Sequence, residues 1–358
     1  MDEFTVWAGA CSHVHTDLDH GRESIADAIR QSEGYDPDAP AFDWDVMLHL
    51  GDLSGTQAPP DEEAGREVHR QWEALREHRR EQIYNVVGNH DGSGPDEPTQ
   101  WWFRELVDPT GEHPETSGVD ADARPFPVHG TWERYWFEVG NVRFLMLGDR
   151  NDGGPPVGRA YDDDRHAGGY PAGAVTEETF AWWRDQVEEN QDKVLVTAHH
   201  HVLKDTTLGS GEWEGIMGPY HGYFEDGAPE GAGYLYFVGE EPDANRFEEY
   251  LADNPGAIDL WLGGHTHAPP GETFGAKSHV ERRWGVTFAN VAPMTSHHVD
   301  RSVPMSRVLT FEDGEKLLTA RCYLHTDEHA PVGWHAPERR RIPLGTRVSL
   351  EDVEDSGG

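Results

Sequence analysis

The residues best equipped for chemistry in this chain are histidines, and they come in short clusters. Residues 10–15 read ACSHVH, placing one thiol (Cys11) and two imidazoles (His13 and His15) within a single turn's length of chain. Such a trio could hold a metal, pair a nucleophile with its base, or only fill a loop. Four more clusters follow: Gly51-Asp52, Gly88-Asn89-His90-Asp91, His199-His200-His201 and Gly264-His265-Thr266-His267. Each alone is a weak signal, because Gly-Asp after a strand is ordinary turn chemistry. Together they form an ordered series of oxygen and nitrogen donors, a mixture that suits Mn, Fe or Zn better than Mg.

Every cluster stands directly after an apolar run of strand length. FTVWAGA (4–10) precedes Cys11, DVMLHL (45–50) precedes Asp52, and IYNVV (83–87) precedes Asn89. KVLVTA (193–198) precedes His199, and AIDLWL (257–262) precedes His265. The C-terminal ends of strands in an α/β sheet face one crevice, so these groups are expected to meet there. A further strand is expected over VTFANV (286–291). Helical spacing is seen over 24–32, over 61–80 through Ala64, Val68, Trp72 and Leu75, and over 177–190. Two hairpins are expected: RYWFEV with VRFLML about Gly140-Asn141, and RVLTF with KLLTARCYL about EDGE. Early alternation of strands and helices with late hairpins predicts a mixed α/β sheet system, not a purely parallel sheet. The Gly/Pro/Asp-rich stretches 92–127, 150–174 and 209–242 are too long for simple connections and read as functional loops or lids. Arg150, Asn151 and residues 204–207 are candidate phosphate contacts. One domain is expected over 1–344, with an acidic, solvated tail over 345–358.

The order of the boxes resembles the calcineurin-like metallophosphoesterases, from the first strand to about Val291. The resemblance implies a four-layer α/β/β/α sandwich of two mixed β-sheets flanked by helices, with two divalent or transition metal ions at the strand ends. Carried over by position, Asp52 would bridge the metals. Asn89, His199 and His265 would bind the second metal, and His13 and His267 the first. His90 would stand beside them as the catalytic histidine, with Asp91 either orienting its ring or capping a turn. The implied reaction is hydrolysis of a phosphomonoester or phosphodiester by a hydroxide shared between the metals. The family's opening Asp-x-His is absent. One register puts Cys11 in the aspartate position before His13; a shift of two puts His13 there before His15. HVHT also resembles the opening of barrel-shaped phosphoesterases and amidohydrolases, which lack the later boxes. A metal-depleted, non-catalytic binding or regulatory member and a thiol enzyme built on Cys11 are the other readings.

Composition bounds the setting. The chain carries 67 acidic and 29 basic residues, a formal net charge of −38, and only four of the basic residues are lysines. Carboxylate-rich, lysine-poor surfaces suit concentrated salt, where screening removes self-repulsion. The same charge argues against nucleic acid as a partner, except as a nucleotide, and leaves a small phosphate ester as the expected substrate. MDEFTVWAGA has no basic region and no long apolar core, so no signal peptide or membrane span is expected, and a cytoplasmic location with reduced Cys11 and Cys322 is.

Overall fold

Alternation within the apolar runs decides the layering. In β1 (Glu3–Gly9), Phe4, Val6 and Ala8 face one way and Trp7 the other, and all four are buried, so both faces of the strand are covered. The remaining strands are β2 (Val46–His49), β3 (Ile83–Asn85), β4 (His129–Thr131), β5 (Arg134–Val139), β6 (Val142–Leu147), β7 (Gly173–Val175) and β8 (Val194–Ala198). They continue with β9 (Leu235–Phe237), β10 (Leu260–Gly263), β11 (Val280–Arg283), β12 (Val286–Asn290), β13 (Met305–Glu312), β14 (Leu317–Leu324), β15 (Gly333–Trp334) and β16 (Arg340–Pro343). The helices are α1 (Val14–Leu18), α2 (Ser24–Ser32), α3 (Glu62–Trp72), α4 (Pro114–Ser117), α5 (Glu177–Glu189) and α6 (Asn245–Asp253). The structure is a computed structural model and describes residues 1–55, 58–94, 97–150, 173–211, 214, 233–237, 245–299 and 301–351.

One sheet runs β15-β14-β13-β1-β2-β3, with β16 also on β14; the other runs β11-β12-β10-β8-β6-β5-β4. β1, β2 and β3 are parallel, as are β12, β10, β8 and β6, and the flanking strands are antiparallel. The core between the sheets contains Phe4, Val6, Leu48 and Tyr84 from one and Phe137, Phe144, Val196 and Leu262 from the other. Outside the first sheet, Trp7 and Met47 pack with Ile25 and Ile29 of α2 and Val68 and Trp72 of α3. Outside the second, Leu145 and Trp261 pack with Trp183 of α5 and Phe247 of α6. Each such large apolar side chain contributes about 1.5–3 kcal/mol when fully buried. Three cores between four layers make the expected α/β/β/α sandwich of two mixed sheets.

Both hairpins pair as expected, Val139 opposite Val142 and Phe311 opposite Leu318. The helix expected over 61–80 stops at Trp72. It starts on Asp61, whose carboxylate caps the Ala64 N–H. Beyond its end the Glu33 carboxylate accepts the N–H groups of Arg76 and His78, replacing helical hydrogen bonds. Part of the stretch expected as a solvated tail is packed instead. Val348 and Leu350 are buried in the inter-sheet core, and Ser349 exchanges backbone and side-chain hydrogen bonds with Asn141. Residues 352–358 lie outside the described part. Of the three long stretches, 97–127 carries α4 and sends Trp102, Phe103 and Val107 into the outer core, so it is packing and not a lid. Most of the other two, with Asn151, lies outside the described residues. Among those residues no helix is long and apolar enough to cross a membrane, and both cysteines are buried free thiols.

Candidate metal centre

Six parallel strands, β1, β2 and β3 in one sheet and β8, β10 and β12 in the other, send their following loops to the same edge of the sandwich. The chain leaves three of these strands through left-handed backbone at four non-glycine residues: Cys11 (φ 55°) and His13 (φ 41°) after β1, Asp52 (φ 57°) after β2 and His265 (φ 63°) after β10. Such positions cost about 1–3 kcal/mol each and cluster where a fold holds functional groups in a set geometry. The second and third loops touch backbone to backbone. A Cβ on Gly51 would lie 2.6 Å from Gly88, and one on Gly88 would lie 2.4 Å from the Asp52 carboxylate, so both positions need glycine.

Asp52 is the hub. Its Oδ1 accepts the His90 backbone N–H at 2.8 Å, and its Oδ2 lies 3.0 Å from His200 Nε2 and 3.7 Å from His13 Nε2. Burial opposes its ionisation, but His200 first, then His90 and His13, hold its pKa well below the usual carboxylate range. Burial likewise opposes the His200 cation, yet the Asp52 charge and hydrogen bond raise its pKa above the usual imidazole value. His13 is the reverse case: burial, then the neighbouring His298 and His90, hold it well below that value and therefore neutral. The Cys11 thiol is pushed well up by burial and by Asp52, so its thiolate needs a cation beside it.

Potential ligand atoms gather in four groups, each with its members within 4.8 Å of one another. Cys11, His13 and His267 form one; His200, His201 and His265 another; Cys11, Asp52 and His200 stand between them; and His13, His90 and His298 form the last. Asn89 joins the second group, its Oδ1 lying 3.2 Å from His265 Nδ1. Cys11 Sγ also accepts the His265 N–H at 3.2 Å.

The residues fit a metal. His13 Nδ1 and His200 Nδ1 face the Ser54 and Leu50 carbonyls at 2.9 and 2.6 Å. A carbonyl only accepts, so those nitrogens carry the hydrogens and Nε2 of each ring points into the site, the usual posture of a ligating histidine. His13 Nε2 is buried without a hydrogen-bond partner, and His267 Nδ1 is paired with the Ser302 hydroxyl at 3.1 Å.

Of the expected residues, Cys11, His13, Asp52, Asn89, His90, His265 and His267 come together. His199 does not. Its Nδ1 accepts the His201 N–H at 2.8 Å, it belongs to none of the four groups, and His200 stands where His199 was expected. The cause is strand alternation: Val194, Val196 and Ala198 face the inter-sheet core, and His200 continues that phase past the strand end. His15, on α1, is in none of the groups either, which favours the register with Cys11. Asp91 does not orient His90. Its carboxylate accepts the N–H groups of Asp52, Ser54 and Gly88 at 2.8–3.0 Å and so clamps the second loop to the third. Arg150 pairs with Glu133, and Lys204 lies over the Tyr234 ring. Sequence reading missed His298, which lies eight residues beyond the end of β12, and named His200 and His201 in their cluster without giving either a role.

The sandwich, the parallel strand ends and the donor groups gathered about Asp52 are the features that the family comparison can be set against. The chain belongs to the calcineurin-like phosphoesterase family, whose model matches residues 9–269. Its structure resembles that of a dimetal phosphatase from Danio rerio, with a TM-score of 0.50, 11% identity, and coverage of 95% of this chain and 99% of that one. A single mutant of Vps29 from Entamoeba histolytica aligns with a TM-score of 0.32 at 13% identity, covering 95% and 99% of the two chains. At 11% identity the likeness to the dimetal phosphatase is one of fold alone. No curated relative matches the chain in sequence.

Proposed function

We propose that this protein is a phosphoric ester hydrolase that uses two transition metal ions. The observation that carries this is the pair of donor groups on either side of Asp52, each with three or more potential ligands. Cys11, His13 and His267 would hold the first ion and Asn89, His200 and His265 the second, with Asp52 shared and His201, a member of the second group, as a further donor there. Two such ions, when bound, neutralise phosphoryl charge and supply an activated water at neutral pH. Asp91 keeps Asp52 in place through the loop clamp. His90, nearly buried and with its backbone tied to Asp52, presents its ring beside His13 at a centroid distance of 4.8 Å. There it can donate a proton to the leaving oxygen. The test is metal content together with turnover of nitrophenyl phosphate mono- and diesters. About two metals per chain and activity abolished by chelation are expected. Turnover that survives chelation overturns the reading, and one bound metal without turnover assigns the non-catalytic role.

Replacing His90 by Ala should lower turnover by about 10²-fold with both metals retained. Metal loss in that variant would make His90 a ligand instead.

Cys11 in place of the usual carboxylate brings a soft donor to an otherwise hard set, which favours Zn or Fe over Mn in the first position. Cobalt-loaded protein should show a thiolate-to-cobalt charge-transfer band. Cys11→Asp should lose that band and gain Mn-dependent activity. A spectrum identical in the two proteins would place the thiol outside the metal's reach.

The charge of −38 supports a protein that works in the concentrated salt of a halophile's cytoplasm. Its melting temperature should rise steeply from dilute buffer to molar KCl, and a flat profile would contradict that setting.

A further inference from the structure

The loop after β12 brings His298 over the first donor group. Its ring stacks face to face on His13, with centroids 3.6 Å apart and planes 3° apart, and the His90 ring meets it edge-on at 4.7 Å. His13, His90 and His267 are buried, whereas His298 is partly exposed, so it stands between the donor group and solvent. Stacking also limits what it can do. Nitrogen lone pairs lie in the ring plane, so two stacked rings confine theirs to separate parallel planes and do not converge on one ion. His298 is therefore poorly placed to share a metal with His13 and well placed to meet what approaches that metal from outside.

The loop is held there by Asp17 of α1, which is fully buried. Asp17 accepts the Thr295 hydroxyl at 2.7 Å, the Ser296 N–H at 3.0 Å and the His297 N–H at 3.0 Å, and pairs with Arg22. Burial disfavours its charge, but Arg22, the Ser296 N–H and the Thr295 hydroxyl outweigh it and keep the carboxylate ionised. On its other side, His298 Nδ1 lies 3.4 Å from the Thr16 hydroxyl. Three consecutive residues before His298 are thus fastened to one carboxylate, and that carboxylate lies four residues beyond His13 on the same short segment.

We propose that His298 is a substrate-binding residue that donates a hydrogen bond to a non-bridging phosphoryl oxygen of the ester, with Asp17 as its positioning residue. The inference rests on the phosphoesterase reading and adds to it the group that grips the phosphate on the solvent side of the first metal. His90 and His298 then flank the same phosphoryl group, His90 from within and His298 from the mouth.

The test is calorimetric binding of inorganic phosphate to metal-loaded protein, with metal content measured in every variant. His298→Ala should retain both metals and bind phosphate about 10-fold more weakly or worse, the value of one hydrogen bond to a charged group. His298→Gln, which keeps an N–H donor, should recover most of the affinity. Asp17→Asn should weaken phosphate binding in the wild-type background and have no further effect on His298→Ala, because it acts through that ring. Unchanged phosphate affinity in His298→Ala overturns the proposal, as does loss of a metal, which would make His298 a ligand. Equal effects of Asp17→Asn in both backgrounds remove Asp17 from the positioning role. Failure of the wild-type protein to bind metal or hydrolyse esters defeats the underlying function. A working wild type with an indifferent His298→Ala defeats this inference alone.

Discussion

Exchange of Asp52 for Asn should reduce bound metal from about two ions per chain to one or none and lower ester turnover by about 10³-fold or more. The amide is nearly isosteric and can still accept the His90 N–H through its oxygen, so the loop clamp through Asp91 survives and the fold should persist. What disappears is the negative charge that stands 3.0 Å from His200 Nε2 and 3.7 Å from His13 Nε2, one residue from each donor group. Bringing two cations close together without a shared anion leaves their repulsion unscreened in a buried site. A shared carboxylate worth several kcal/mol to the bound state corresponds to the stated factor at 1.36 kcal/mol per tenfold. Metal analysis and turnover with a nitrophenyl ester check it. Two metals and activity within tenfold of wild type would remove Asp52 from its central place.

The second large effect is on acid stability. His49, His279 and His325 are fully buried or nearly so, and burial is the first cause holding each ring neutral, with pKa values lowered to about 3, 4 and 3. His325 shows why. Trp7 Nε1–H donates to the Ser306 oxygen at 2.8 Å, the Ser306 hydroxyl donates to His325 Nε2 at 2.8 Å, and His325 Nδ1–H donates to Gln31 Oε1 at 2.7 Å. The chain of donors is complete only when Nε2 is unprotonated. In the unfolded chain these imidazoles titrate near 6.5. Below that pH the unfolded state takes up protons and the native state does not, so stability falls as pH drops from about 6.5 towards 4 and is flat above about 7. Three such groups together remove about 4 kcal/mol between pH 7 and 5.5, which lowers the melting temperature by about 5 °C in a chain of this size. His325→Gln should make the acid limb shallower by about 1.4 kcal/mol per pH unit. A melting temperature unchanged between pH 7 and 5.5 would mean these rings are protonated in the native state.

Much of the site was legible because its chemistry is local. A short apolar run that passes into a metal-binding type of side chain, with or without an intervening glycine, is a strand end whatever the rest of the chain does. Five of the six strand-end loops announced themselves in that way, and the two hairpins were marked by Gly140-Asn141 and by EDGE. The kinds of donor bounded the choice of metal, the order of strands and helices pointed to a mixed α/β sheet system, and the four-layer sandwich with two metals was implied by the resemblance of the ordered boxes. Helix ends were less legible: the stop at Trp72 depends on the Glu33 carboxylate, far away in sequence.

Three matters were settled only by the tertiary structure. The first is which of three consecutive histidines join a donor group, His200 and His201 but not His199. Val194, Leu195 and Val196 are all buried because β8 is covered on both sides, so the sequence shows no polar face from which to count the phase that selects His200 over His199. The second is the role of Asp91, whose three N–H donors come partly from a loop nearly forty residues earlier. The third is the arrival of His298, which hangs on a carboxylate at Asp17, some 280 positions away along the chain. Residue type and spacing determine which atoms can bind a metal. Which of them point inward is set by sheet phase and by long-range hydrogen bonds, and neither is written in the local pattern of residues.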